Sequence, residues 1–171
     1  MWPDGAPASD LHWRTAEGDD APAVRAAIDA WWPGRHIEHM VCPQLFEHFG
    51  DTCLLVEDES LAEGDRLVAF LLGMMSQRMP EAGYVHYAGV RPEYRGTGLG
   101  RQMYERFAEM TRSRGRGEVF IETSTWNKES IAFHERMGFV FVPGDEVVDG
   151  LPVHHDTGGK GFDYVEMVWT L

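Results

Sequence analysis

Tyr84-Val85-His86-Tyr87-Ala88-Gly89-Val90-Arg91-Pro92-Glu93-Tyr94-Arg95-Gly96-Thr97-Gly98-Leu99-Gly100 is the stretch that decides how this chain is read. Its first seven residues are β-prone and predict a strand, which Pro92 closes by withholding a ladder donor. The glycines at 96, 98 and 100 fall where a helix starts. Leu99, Met103, Phe107 and Met110 then recur at spacings of four, four and three, the buried face of a helix that Gly115 can cap. Glycines between a strand and a helix N-terminus let backbone amides approach an anion, and the positive end of the helix dipole stabilises its charge. Arg91, Arg95 and Arg101 add cations at the same end.

Two familiar phosphate loops fail on spacing. No Gly-Lys-Ser or Gly-Lys-Thr is present, and the glycines at 96, 98 and 100 precede Arg101, which breaks G-x-G-x-x-G. What remains is Arg95-x-x-Gly98-x-Gly100.

Upstream, His12 to Thr15 predicts a strand, and Asp19-Asp20 before Ala21-Pro22 an N-capped helix to Trp31. Pro43 to Phe49 predicts a shorter helix, suited to flank a pocket. Cys53 to Glu57 and Leu67 to Met75 read as a hairpin. Downstream come a strand at Val119 to Thr123, a helix at Asn127 to Met137, a strand at Phe139 to Val142 and a last strand at Tyr164 to Thr170. Pro143 to Asp163 is polar and glycine-rich, a loop or long hairpin. Residues 1–10 read as a loose leader and 11–171 as a single domain of α/β (α+β) class.

Val90-Arg91-Pro92-Glu93-Tyr94-Arg95-Gly96-Thr97-Gly98-Leu99-Gly100 resembles the signature of GNAT acetyltransferases, Val-x-Pro-x-x-Arg/Gln-Gly-x-Gly-x-Gly/Ala. Asn127-Lys128-Glu129-Ser130-Ile131-Ala132-Phe133-His134-Glu135-Arg136-Met137-Gly138-Phe139 resembles that family's second block. The resemblance implies a twisted, mostly antiparallel mixed sheet of six to seven strands with about four helices, and acetyl-CoA as co-substrate. By the same resemblance the amides of Arg95, Gly96, Thr97, Gly98, Leu99 and Gly100, with Arg101, would hold the pyrophosphate. The pantetheine arm would pair beside Val90 like an added strand, and Asn127 and Ser130 would lie along the cofactor's path.

Where most members of that family have tyrosine as the acid for the leaving thiolate, this chain has His134. A CoA-type thiol with a pKa near ~8.5 needs modest help, which an imidazolium or a water supplies; His134 can instead pack under the cofactor. An alkylamine of pKa ~10.4 must also lose a proton before attack. His86 is the first candidate base, with Tyr84 and Glu122 after it; a base so placed contributes about 10² to 10⁴ in rate. Direct attack needs no acyl-enzyme, and neither cysteine has a motif that suggests a nucleophile.

A chain of 171 residues, 43% hydrophobic and 12% aromatic, can bury a core, and its net charge of -13 argues against nucleic acid and anionic membrane while favouring a small-molecule amine or basic peptide. Cys42 and Cys53 form no CxxC pair, which fits a reducing cytoplasm. The longest apolar run, Leu67 to Met75, is far short of the ~20 residues of a membrane span. His36 and His39 have no convincing third ligand nearby, and in His154-His155-Asp156 adjacent histidines on a strand would point to opposite faces, so no metal is expected. Trp31, Trp32, Phe46 and Phe49 suit either a substrate slot or core. A homodimer stays open, as do two other readings: a non-catalytic acetyl-CoA sensor, and an acyltransferase using another thioester or acceptor.

Overall fold

The computed structural model describes residues 11–34 and 38–171. The expected leader, 1–10, and His36 lie outside these. In chain order the elements are β1 (Leu11–Thr15), α1 (Ala21–Trp31), α2 (Pro43–Phe49), β2 (Leu54–Asp58), β3 (Leu67–Met75), β4 (Ala82–Val90), α3 (Leu99–Ser113), β5 (Glu118–Ser124), α4 (Lys128–Met137), β6 (Val140–Phe141), β7 (Glu146–Val148), β8 (Leu151–Val153) and β9 (Tyr164–Thr170). Seven strands form one mixed sheet in the order β1-β2-β3-β4-β5-β9-β6, as the α/β expectation requires. The β1–β2, β2–β3, β5–β9 and β6–β9 pairs are antiparallel. β4 and β5 are parallel, in register from Ala82↔Glu118 to Val85↔Ile121.

The chain divides into two compact units, residues up to Met74 with Tyr87–Met110, and Met75–His86 with Thr111–Leu171. In the first, α1 turns Val24, Ile28 and Trp31 into an apolar cluster with Phe46, Leu55 and Phe70. Trp31 and Phe46 are therefore core, the second of the two roles the sequence allows. Phe70 stacks on Trp31 with centroids 5.6 Å apart and on Tyr87 at 6.2 Å. Leu99, Met103 and Phe107 are the buried stripe of α3, each 2% exposed or less, while Met110 is only half-buried. In the second unit, Val119 and Ile121 of β5 and Val165 and Met167 of β9 are buried on one face.

The local differences from the sequence reading have physical causes. Asp20 stands at the N-cap of α1, but its carboxylate makes no cap bond to that helix. It accepts instead from the Glu17 amide at 2.7 Å and from Arg14 at 2.8 and 2.7 Å, which closes a 3-10 turn ahead of α1. The strand expected over 139–142 shrinks to Val140–Phe141. The polar stretch after Pro143 folds β7 and β8 into a short antiparallel hairpin, one of the two forms the sequence allows, with Val147 73% exposed and Val153 buried.

Candidate active site

Eight of the expected site residues lie within the first unit: Val90 at the end of β4 and the consecutive run Arg95, Gly96, Thr97, Gly98, Leu99, Gly100 and Arg101. Pro92–Tyr94 forms a 3-10 turn after β4, and Thr97 Oγ1 donates to the Tyr94 carbonyl at 2.7 Å. Gly96 and Gly98 then take φ of 78° and 85°, a region that costs an L side chain roughly 1–2 kcal/mol. A Cβ at either glycine would meet nothing within 4 Å, so the backbone face there is open to a ligand. Leu99 is buried and anchors the helix start, and helix geometry leaves the amides of Leu99, Gly100 and Arg101 without an i−4 carbonyl inside α3. These donors at the positive helix end fit a diphosphate.

Each of the three arginines at this end has partners within the protein. Arg95 Nε donates to the Val90 carbonyl at 3.1 Å and Nη2 to the Trp31 carbonyl at 3.5 Å, with its guanidinium 5.7 Å from the Trp32 ring centroid. Arg91 pairs with Glu93 at 3.2 Å and Arg101 with Glu105 at 3.7 Å. Tyr94 donates to the buried Asp58, whose carboxyl is held below its ordinary range, first by the Ser60 hydroxyl and then by Tyr94. Gly89 carries a steric requirement: a Cβ would lie 2.4 Å from Trp32 and 2.9 Å from Phe70. Beside α2 lies a depression of about 350 Å³ lined by Glu17, Glu47 and Asp51 among others.

Within the second unit, Asn127 stands at the N-cap of α4 and its Nδ2 donates to Thr123 Oγ1 at 3.4 Å. Ser130 and His134 follow on that helix. His134 is 5% exposed, packs edge-on against Phe139 with centroids 5.1 Å apart, and its Nδ1 lies 2.7 Å from the Ser130 carbonyl. A carbonyl only accepts, so Nδ1 carries the hydrogen and Nε2 of the neutral ring carries the lone pair. Burial pushes the imidazole down to about 4, against the opposing Ser130 bond.

A stability effect follows from that shift. Because the folded pKa lies below the ordinary ~6.5, the unfolded chain binds the extra proton between these values. The neutral ring's contribution is complete above about pH 6.5 and is lost as pH falls through the folded value. Urea unfolding of wild type and His134→Gln at pH 7 and pH 4 should differ in pH dependence by on the order of 3 kcal/mol. Equal dependence in both would refute the burial argument.

On the sheet, Tyr84 and His86 share one face of β4, with ring centroids 6.1 Å apart. The Tyr84 hydroxyl donates to Glu122 Oε2 at 3.3 Å. Burial first, then the Glu166 charge, raises the Glu122 carboxyl above its ordinary range, and burial likewise raises Tyr84. The sequence reading missed Glu166, although the alternation Tyr164-Val165-Glu166-Met167 marks the polar face of β9, and weighed its neighbour His154 only as a metal ligand. His154 and His155 point to opposite faces, the first toward Glu166 at 3.6 Å and the second to Glu146 at 2.8 Å. Among the described residues no group of three or more His, Cys, Asp or Glu is placed to hold a metal ion.

The model of the Acetyltransferase (GNAT) family matches residues 11–139, from β1 to the end of α4. The chain belongs to the GNAT acetyltransferase family. Its relatives differ in what they modify. N-alpha-acetyltransferase 30 of Schizosaccharomyces pombe is 32% identical over 57 residues, 33% of this chain and 38% of that protein. Streptothricin acetyltransferase of Streptomyces lavendulae is 38% identical over 52 residues, 30% of this chain and 28% of that protein. The chain thus spans well under half the length of these curated relatives. The same fold is found in diaminobutyrate acetyltransferase EctA of Paenibacillus lautus, solved with L-2,4-diaminobutyric acid and coenzyme A (TM-score 0.66, 21% identity, 94% of each chain covered).

Proposed function

We propose that residues 11–171 act as one acetyl-CoA-dependent N-acetyltransferase domain that acetylates a small-molecule amine or basic peptide by direct attack. The observation that carries this reading is the loop of residues 95–100, with two positive-φ glycines opening onto the N-terminus of α3. The loop amides would hold the CoA pyrophosphate. β4 continues past the end of its β5 register to Val90, which leaves a length of strand suited to receive pantetheine amides. Asn127 and Ser130 would follow the cofactor's path along α4.

When bound, acetyl-CoA supplies the thioester. The acceptor arrives as an ammonium, and Glu122 takes its proton, with His86 on the neighbouring strand as the second candidate. The freed nitrogen lone pair forms the C–N bond, the C–S bond breaks, and the electron pair leaves on the thiolate. A neutral His134 with its lone pair on Nε2 does not donate a proton at pH 7, so the second proton shed by the acylated nitrogen passes through a water to the thiolate, and His134 acts as an acceptor that orients the water or the cofactor. This replaces the imidazolium acid with the alternative the sequence left open. Direct attack needs no acyl-enzyme, and the Cys53 thiol, pushed up to about 11 by burial, is a poor nucleophile.

The acidic surface suits a cationic acceptor and not nucleic acid or membrane. Among the described residues no helix is long and apolar enough to cross a membrane. A reducing cytoplasm is the proposed setting, and a homodimer is compatible with it.

The test is isothermal titration with acetyl-CoA, followed by thiol release against glucosamine, spermidine, L-lysine and a basic peptide. Glu122→Gln should lower kcat/KM for the best acceptor by about 10² to 10⁴ without changing acetyl-CoA affinity. Binding with no release for any amine would favour the sensor reading, release with another acyl-CoA the alternative donor, and no binding would overturn the proposal.

A further inference from the structure

β5 and β9 are antiparallel with Glu122 directly opposite Glu166. Directly opposed side chains share a face, so two carboxylates face the same side of adjacent strands, an arrangement that is unfavourable between like charges. The other face of these strands is apolar and buried, with Ile121 and Met167 each 2% exposed or less, so neither strand can turn its carboxylate away without losing core. The Glu166 side chain is 20% exposed and little water is left to screen it.

The groups facing the pair come from three elements. From β4, Tyr84 donates to Glu122 at 3.3 Å, with His86 next to it on the same face. From β9, Tyr164 flanks Glu166 and is held by the bridge to His154. From the end of β8, His154 Nδ1 lies 3.6 Å from Glu166 Oε1, and its Nε2 is buried with no hydrogen-bond partner among the described residues. Tyr84 binds the Glu122 carboxylate and favours its ionised form, and positive charge on His154 would do the same; Glu166 and burial oppose them.

We infer that Glu166 is a positioning residue that acts through Glu122: its carboxylate, fixed across the strand pair, makes Glu122 the member that accepts the acceptor's proton. This rests on the reading of Glu122 as the base. Two carboxylates forced together ionise in sequence, not together, and the one that retains a higher proton affinity is the better base near neutral pH. Glu166 needs no contact with acceptor or cofactor to do this.

Carboxyl-carbon NMR titration of the full chain, without ligand, tests the coupling, and the pH profile of kcat/KM with the fastest amine of the panel tests its use. In wild type one glutamate should titrate above the ordinary range, and its signal should vanish in Glu122→Gln. In Glu166→Gln that signal should titrate at lower pH and the acidic limb of kcat/KM should move the same way, with acetyl-CoA affinity unchanged. Glu166→Asp, which keeps the charge, should restore the limb toward its wild-type position. Glu166→Thr, a strand-former without charge, repeats the test if the Gln variant folds poorly. A limb and titration that stay in place in the folded, uncharged variants overturn the inference while leaving Glu122 as base. An acidic limb and rate that survive Glu122→Gln overturn the base assignment itself.

Discussion

Gly98→Glu is expected to weaken acetyl-CoA binding by about a hundred-fold or more while the protein stays folded. Gly98 has φ of 85°, so any side chain strains the loop by roughly 1–2 kcal/mol. That alone is about a tenfold effect if the loop shifts to relieve it. Glutamate also brings a negative charge to the helix N-terminus proposed to hold the pyrophosphate, so it competes for the same amides and repels the ligand. The same charge is favourable for the helix itself, which is why folding should survive. Isothermal titration of Gly98→Ala and Gly98→Glu separates strain from charge. Equal affinity of Gly98→Glu and wild type would remove the loop from the cofactor site.

Phe70→Ala should have the largest effect on stability, about 3–5 kcal/mol by urea denaturation. Phe70 is 0% exposed and lies among three rings: stacked on Trp31 and Tyr87, with Trp32 edge-on at 6.5 Å. Truncation loses the transfer energy of the ring and leaves a cavity that rigid aromatic neighbours cannot fill. Against a typical total of roughly 5–15 kcal/mol, such a loss leaves a marginal protein. A change below about 1 kcal/mol would mean that the cluster re-packs and that Gly89 is not constrained as its contacts indicate.

The reading from sequence succeeded where one physical signal dominated. The period of Leu99, Met103 and Phe107 fixed α3, and the turn chemistry of residues 91–98 fixed what precedes it. The bounds of α1 were legible but its capping chemistry was not: Asp20 stands at the N-cap, yet the arginine brought by β1 claims its carboxylate. The parts of the candidate site that depend on strand neighbours were the least legible. Glu122 could be named from its own strand, whereas Glu166 acquires meaning only from the β5–β9 register, about forty residues away in sequence. The choice between the two roles the sequence allowed for His134 was equally hidden. A histidine in the family's tyrosine position suggested an acid, and only its packing against Phe139 and its bond to the Ser130 carbonyl turned it toward the neutral form.

The ties around the loop of residues 95–100 have a thermodynamic consequence. Arg95 is fastened to the Val90 and Trp31 carbonyls, Tyr94 to Asp58, and Thr97 to Tyr94. The loop's conformational entropy is therefore surrendered during folding and not at the moment a ligand arrives. Cutting one of these ties would remove no direct contact with a diphosphate, yet association would then carry an ordering cost, appearing as a more unfavourable binding entropy at a nearly constant enthalpy. Affinity for the cofactor is, on this view, partly stored in side-chain ties that are not themselves contacts with it.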